Sequence, residues 1–303
     1  MTLAVRAGPA PEHVEAIQSA VLEWYAANGR ALAFRGTADP WSVLVSEVIA
    51  QQTQAARAAE AWTRFIARFP TPAALAGTTP ASVIRAWRGL GYNRRAIALR
   101  AAAIAICEDH GGRVPDGYDA LVGLPGVGPY TARAVLAIGF GRPVAALDTN
   151  IRRVVGRAFL GSDDAVREAD LQRLADGVVP EDRAAAWTHA LMDVGAAFCR
   201  KRDPRCDTCP VATHCRYLAA GRPPTGSERR VKPHTRFRST TRWLRGRILD
   251  RLRDAPDGAW VEIAAPMGEH AADAVALELR NLAREGLLEL DPSRVRARLR
   301  IDP

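Results

Sequence analysis

The chain has 303 residues, of which 42 are Lys or Arg and 33 are Asp or Glu, for a formal charge of +9. That length supports two or three modules with a real core, and the charge favours a polyanionic partner. No apolar run approaches the roughly 18 residues of a membrane span. Met1–Pro11 lacks the basic and apolar regions of a secretory signal, so a soluble cytoplasmic protein is expected.

Apolar residues recur near every 3.6 positions over 12–27, where Asn28-Gly29 stops the pattern, and 41–68 forms one or two helices closed by Phe69-Pro70. Shorter helices follow at 72–76, 80–87 and 93–110, each bounded by Pro or Gly. Two more, at 116–122 and 129–139, flank Leu124-Pro-Gly-Val-Gly-Pro-Tyr-Thr-Ala132. Nothing before residue 216 alternates convincingly as a strand, so the first 215 residues read as an all-α body. From Arg222 to Arg253 there are eleven Arg or Lys against Glu228 and Asp250, opened by the linker Gly221-Arg-Pro-Pro-Thr-Gly-Ser227. Such a block is a solvated face or an electrostatic arm. Residues 241–303 read as a small winged-helix-like domain: helices at about 241–254 and 269–285, an apolar segment around Trp260-Val261, and a basic hairpin from Leu287 to Ile301.

Four of the five cysteines, Cys199, Cys206, Cys209 and Cys215, fall within seventeen residues. Loops that short let four thiolates converge on one centre, which selects an iron–sulfur cluster or a tetrahedral zinc. Unrelated core cysteines or a disulfide pair are the plainer alternatives. Cys107, in the helix Ala101–His110, reads as a small core residue. All basic residues except Lys201 and Lys232 are arginine, which suits bidentate phosphate contacts and is equally the mark of a GC-rich coding bias.

In the segment Leu124–Ala132, Gly126 and Gly128 permit a tight turn with positive φ, and Pro129 suits the first position of a helix. The amides of Gly126, Val127 and Gly128 then face outward at a helix N-terminus, a setting for an anion such as a DNA phosphate. A bare αα corner is the simpler reading. Asp148 ends the apolar run Pro143–Leu147 and opens Asp-Thr-Asn150, where a helix N-cap competes with a catalytic carboxylate. Glu47 is the only acid between Asp39 and Glu60 on a largely apolar helix. Burial there would raise its pKa, as a general acid requires, unless the helix simply exposes it. Tyr92, in Gly89-Leu-Gly-Tyr-Asn-Arg-Arg95, suits stacking with phosphate contact, or packing.

The hairpin, Asp148 about twenty residues beyond it, and the four-Cys loop occur in one order over roughly residues 12–216. They resemble the helix–hairpin–helix superfamily of iron–sulfur base-excision DNA glycosylases, and within it the MutY-type adenine glycosylases. The resemblance implies an all-α fold in which residues 1–30 and 145–216 form a cluster lobe and 31–144 a six-helix barrel with the hairpin. A basic linker at 217–240 and the winged-helix-like domain at 241–303 follow, and the N-terminal helix packs with the cluster lobe. In that comparison Asp148, with Asn150 beside it, stabilises an oxocarbenium-like sugar, and Glu47 protonates adenine at N7 and then activates water. Gln51 and Gln52 enter the duplex beside an everted base, and Tyr92 intercalates by the opposite purine with Arg94 nearby. The four cysteines would hold a [4Fe-4S] cluster, whose loop arginines Arg200, Arg202 and Arg205 are ordered for phosphate contact, and the hairpin would hold a monovalent cation.

Tyr130 stands where bifunctional relatives carry a lysine nucleophile, and no lysine precedes Lys201. Monofunctional base removal is therefore expected, because strand cleavage needs a Schiff-base amine. The implied partner is double-stranded DNA with a mismatched or damaged base, bound by a nucleoid-associated monomer. The sequence departs from the family pattern at Thr149 (usually Gly), Ala50 (usually Leu) and Leu32-Ala-Phe-Arg35 (usually Leu-Pro-Trp-Arg). Its tail is too short for the Nudix-like domain that reads 8-oxoguanine and resembles the abbreviated form of actinobacterial relatives. Adenine opposite guanine or 8-oxoguanine is the expected target. Mismatched thymine, uracil or hypoxanthine, and a non-catalytic DNA-binding protein with a structural cluster, are the alternatives.

Overall fold

The structure is a computed structural model that describes residues 8–162, 166–223, 236–292 and 296–301. Proline sets many of its helix starts. Helices α1 (Pro11–Asn28), α2 (Pro40–Ala50), α4 (Pro72–Ala76), α5 (Pro80–Ala86) and α8 (Pro129–Ala134) each begin on one, where the missing N–H is harmless and the fixed φ helps. Thr71 and Thr79 cap α4 and α5 by accepting from Ala74 N (3.1 Å) and Ser82 N (3.2 Å). The 41–68 stretch resolves into two helices, α2 and α3 (Ala55–Arg68), with Gln52 at φ 53° in the break. The remaining helices are α6 (Arg94–Asp109), α7 (Tyr118–Gly123), α9 (Thr149–Val155), α10 (Glu168–Gly177), α11 (Ala184–Ala197), α12 (Arg216–Ala219), α13 (Thr241–Asp254) and α14 (Ala272–Arg284). Wider π-type turns, Val135–Gly139 and Gly156–Leu160, extend α8 and α9.

Among the described residues the fold is all-α apart from a three-stranded antiparallel sheet, β1 (Val261–Glu262), β2 (Leu288–Leu290) and β3 (Arg296–Leu299), in the order β1-β3-β2. Leu288 faces Leu299 and Leu290 faces Ala297 across the β2–β3 pair. The two helices and the hairpin are those the C-terminal sequence suggested, and the apolar segment around Trp260-Val261 supplies a short strand. Residues 224–235, half of the expected basic linker at 217–240, lie outside the described residues.

The chain separates into two compact units. One comprises Met1–Glu47, Asp116–Val122 and Val127–Arg229. Its core joins Ile17, Val21 and Leu22 of α1 to Ile151, Val154 and Val155 of α9 and Trp187, Leu191 and Val194 of α11. Cys199, Cys209 and Cys215 pack against that core, so the N-terminal helix and the cysteine loop share one body. The other unit comprises Val48–Pro115, Gly123–Gly126 and Arg230–Pro303. Phe65 anchors it edge-on to Phe69 and Trp87, with ring centroids 4.9 and 5.6 Å away. The C-terminal segment is hydrogen-bonded to α5 and the following loop. Arg253 donates to Ile84 O (2.9 Å) and Asn93 Oδ1 (2.6 Å), and Ala81 N donates to Arg300 O (2.8 Å).

Candidate active site

Glu47 lies on α2, between Ser46 and Val48 on a helix whose other residues are almost all buried and apolar. Its carboxylate accepts a hydrogen bond from the Tyr130 hydroxyl. Burial pushes the Glu47 carboxyl up to about 7; Tyr130 and Arg35 oppose that rise and the charge of Asp148 adds to it. Tyr130 is held well above its ordinary value by burial and by the charges of Glu47 and Asp148, so its phenol stays a donor. Desolvation therefore wins at Glu47, and the group carries a proton near neutrality.

Asp148 is the N-cap of α9. One oxygen accepts from Asn150 N (2.9 Å) and Ile151 N (2.6 Å), and the other from Asn150 Nδ2 (3.1 Å). The capping reading and the catalytic reading therefore fall on the same carboxylate, with Asp148 rather than Asn150 as the cap. The Asn150 amide is itself fixed, because Arg153 Nη2 donates to its oxygen at 2.8 Å and to Gly195 O at 2.9 Å. A Cβ on Gly195 would lie 2.5 Å from Asn150 Cβ, so only glycine lets α11 approach this closely.

Two residues that sequence reasoning did not assign to the site complete its electrostatics. Asp193 of α11 is almost fully buried and takes a bidentate pair from Arg35 (2.7 and 2.8 Å), together with Arg30 Nε at 2.6 Å. Burial alone would raise the Asp193 carboxyl, but Arg35 and Arg30 hold it below its ordinary value. The neighbouring His189 is pushed down to about 4 by burial and by Arg35, and stays neutral. Arg35 thus places a fixed positive charge that acts on Glu47. The signal was available: Asp193 is a lone acid on an apolar helix, as Glu47 is.

In the hairpin, Gly126 has φ 78°, and a Cβ there would meet Ala98 Cβ at 2.7 Å. The positive φ expected of Gly128 is absent. It is extended (φ −97°, ψ 177°) as the N-cap of α8, and the space its Cβ would enter is open for 4 Å. Val127 between them is buried.

Gln51, Gln52, Tyr92 and Arg94 come together in the second unit, lining a cavity of about 570 Å³ with Arg95, Arg242 and Arg245. Arg95 fastens this corner by donating to Val48 O (2.7 Å), Gln51 O (2.6 Å) and Gly91 O (3.3 Å). Gln52 and Tyr92 both adopt positive φ, 53° and 44°, a conformation that costs a non-glycine residue energy and that a surrounding framework must hold.

The four cysteines line one small cavity with Val154, Arg157 and Tyr217, and none forms a disulfide. Burial raises all four thiols, Cys209 to about 12. Arg157 Nη1 is 3.8 Å from Cys199 Sγ and donates to Arg200 O at 2.8 Å. Among the described residues no three His, Cys, Asp or Glu side chains converge as metal ligands. The donor set is four soft sulfurs around one space, which fits a thiolate-bound centre. No helix among the described residues is long and apolar enough to cross a membrane.

Residues 45–178 match the HhH-GPD superfamily of base excision DNA repair proteins. The adenine DNA glycosylase of Mycolicibacterium smegmatis is 42% identical over 237 residues, 78% of this chain and 80% of the relative. That of Mycobacterium tuberculosis is 43% identical over 250 residues, 81% of this chain and 80% of the relative. The solved structure of a thermostable thymine-DNA glycosylase superposes with a TM-score of 0.65 at 29% identity, covering 69% of this chain and 98% of that one.

Proposed function

The chain belongs to the HhH-GPD superfamily of base excision DNA repair proteins and has DNA N-glycosylase activity toward adenine; from that premise we propose that its target is adenine mispaired with guanine or 8-oxoguanine in duplex DNA, removed without strand cleavage. Glu47, protonated near pH 7, donates its proton to N7 of the everted adenine. The C1′–N9 bond breaks with its electron pair leaving on the base, and Asp148 faces the positive charge that develops on the sugar. Water then adds at C1′, and its proton returns to the Glu47 carboxylate. Tyr130 orients Glu47 through its hydroxyl and has no amine with which to form a Schiff base. Asn150 holds the Asp148 carboxylate in place.

What carries this reading is a single arrangement: a carboxyl raised to about 7 on α2, hydrogen-bonded to Tyr130, under the charge of Asp148. A carboxyl raised by burial, with a second carboxylate held by hydrogen bonds near it, suits an acid and a charge stabiliser. In the same reading Gly126, Val127 and Gly128 bind a DNA phosphate, with a monovalent cation at the turn. Gln51, Gln52, Tyr92 and Arg94 engage the opened duplex. Cys199, Cys206, Cys209 and Cys215 would hold a [4Fe-4S] cluster that supports its loop and takes no part in bond cleavage. Its test is a brown protein with visible thiolate-to-iron absorption; a colourless zinc protein would refute it. The enzyme works as a monomer at the bacterial chromosome.

Thymine in mismatches is the second reading, favoured by the superposition on a thymine-DNA glycosylase. Excision of A, T, U and hypoxanthine from defined mismatches separates the two. Release of adenine alone, opposite guanine and 8-oxoguanine, is expected, and release of thymine or uracil at a comparable rate would overturn it.

A further inference from the structure

The C-terminal segment places one guanidinium in the cavity that Gln51, Gln52 and Tyr92 line. Arg242, near the start of α13, lies over the Tyr92 ring with its Cζ 4.5 Å from the centroid, and its Nη1 is 3.4 Å from the Tyr92 hydroxyl. Arg95 approaches the same ring more distantly, with its Cζ 5.8 Å from the centroid. The two arginines differ in what else they do. Arg95 is spent on backbone carbonyls. Arg245, the next along α13 to reach the cavity, is neutralised by Glu278 (3.1 Å) and Glu285. Among the described residues Arg242 has no carboxylate partner and is exposed.

We propose that Arg242 is a specificity-determining residue that reads the base opposite the excised one, presenting its donor fork to the O6 and N7 acceptors of guanine while Tyr92 supplies the stacking face. A planar, donor-only fork matches two adjacent acceptors, and guanine's major-groove edge alone offers them. Adenine pairs an acceptor with a donor there, and cytosine presents a donor. In 8-oxoguanine the N7 position bears a hydrogen, so only one of the two acceptors remains for the fork. The glutamine amides beside it both donate and accept, and do not make that distinction. The cavity of about 570 Å³ has room for one nucleotide. This inference rests on the adenine-glycosylase reading above, and it gives the C-terminal segment a role in choosing the mismatch.

The test compares wild type with Arg242→Ala and Arg242→Lys in single-turnover excision of adenine placed opposite guanine, 8-oxoguanine, cytosine or an abasic site. The expected result for Arg242→Ala is a loss of roughly ten-fold or more opposite guanine, a smaller loss opposite 8-oxoguanine, and little change opposite cytosine or the abasic site. Arg242→Lys, which keeps the charge without the fork, should not restore the guanine preference. Equal losses on all four duplexes would mean a phosphate contact or a structural role, and no loss on any would mean a bystander; either overturns the proposal. If wild type releases no adenine from any duplex, it is the parent reading that fails. Matching thermal unfolding of the three proteins shows that the comparison is made on folded enzyme.

Discussion

Burial moves the Glu47 carboxyl from an ordinary value of 4.5 to about 7, so the native chain keeps a proton that the unfolded chain releases above pH 4.5. The unfolded state then binds fewer protons, and stability falls as pH rises from about 4.5 to 7, with the full cost present above 7. That cost is at most about 3 kcal/mol. Glu47→Gln should remove it: thermal melts of the variant should gain on wild type at pH 8 and converge with it at pH 4.5. A constant difference across that range would show that the carboxyl is not raised. Catalysis follows the same proton. Excision should fall about ten-fold per pH unit above 7, while Glu47→Gln, with no proton to give, should lose at least about 100-fold at every pH. From the sequence, a lone acid on an apolar helix left Glu47 open to simple exposure, and it was the resemblance of its flanking residues to MutY-type glycosylases that singled it out. Arg35 and Asp193 were not recognised together, because 158 positions separate them.

At the scale of elements, the helices were legible wherever Pro or Gly punctuates the chain. The expected 72–76 coincides with α4, and 241–254 with α13. The π-type turns after α8 and α9 had no such signal, since they arise from packing rather than from local propensity. The same holds for the approach of α11 to α9. Gly195 reads as an ordinary helix-interior glycine, yet its missing side chain is the space that Asn150 occupies. Gly195→Ala should therefore displace Asn150 and loosen the Asp148 cap, reducing excision by about ten-fold or more while helix propensity at position 195 improves. Circular dichroism and single-turnover rates measured on the same sample decide this; unimpaired excision would mean that Asn150 is not held by the contact. The Asp193 ion pairs also belong here, because they fasten the turn before α2 to α11. Asp193→Asn leaves the Arg35 guanidinium buried against a neutral partner and should cost about 3 kcal/mol in chemical denaturation. A loss under 1 kcal/mol would show that Arg30 and Arg35 find water instead.

For the whole molecule, the charge of +9 makes DNA affinity a function of salt. If binding engages four or more phosphates, the association constant should fall by about 100-fold or more between 50 and 200 mM salt, as fluorescence anisotropy on a mismatched duplex would read. A salt-independent constant would remove electrostatics from the account. At this scale the sequence foresaw the all-α body and the C-terminal hairpin. The attachment of the C-terminal segment to α5 was hidden, since it runs through arginines such as Arg253 and Arg85 bonding to backbone carbonyls, and any arginine has the same appearance in a sequence. Arg242 escaped notice for the same reason: it was one basic residue in a basic stretch, 150 positions from the tyrosine it covers.

All three scales meet at the carboxylate that caps α9. Single-turnover release of adenine from a duplex pairing it with guanine, measured for wild type and Asp148→Asn alongside their affinities for that duplex, tests the mechanism directly. The expected outcome is a loss of about 1,000-fold or more in release, with affinity unchanged within a few-fold because the amide keeps the shape of the cap. Release by Asp148→Asn at close to the wild-type rate would contradict the account.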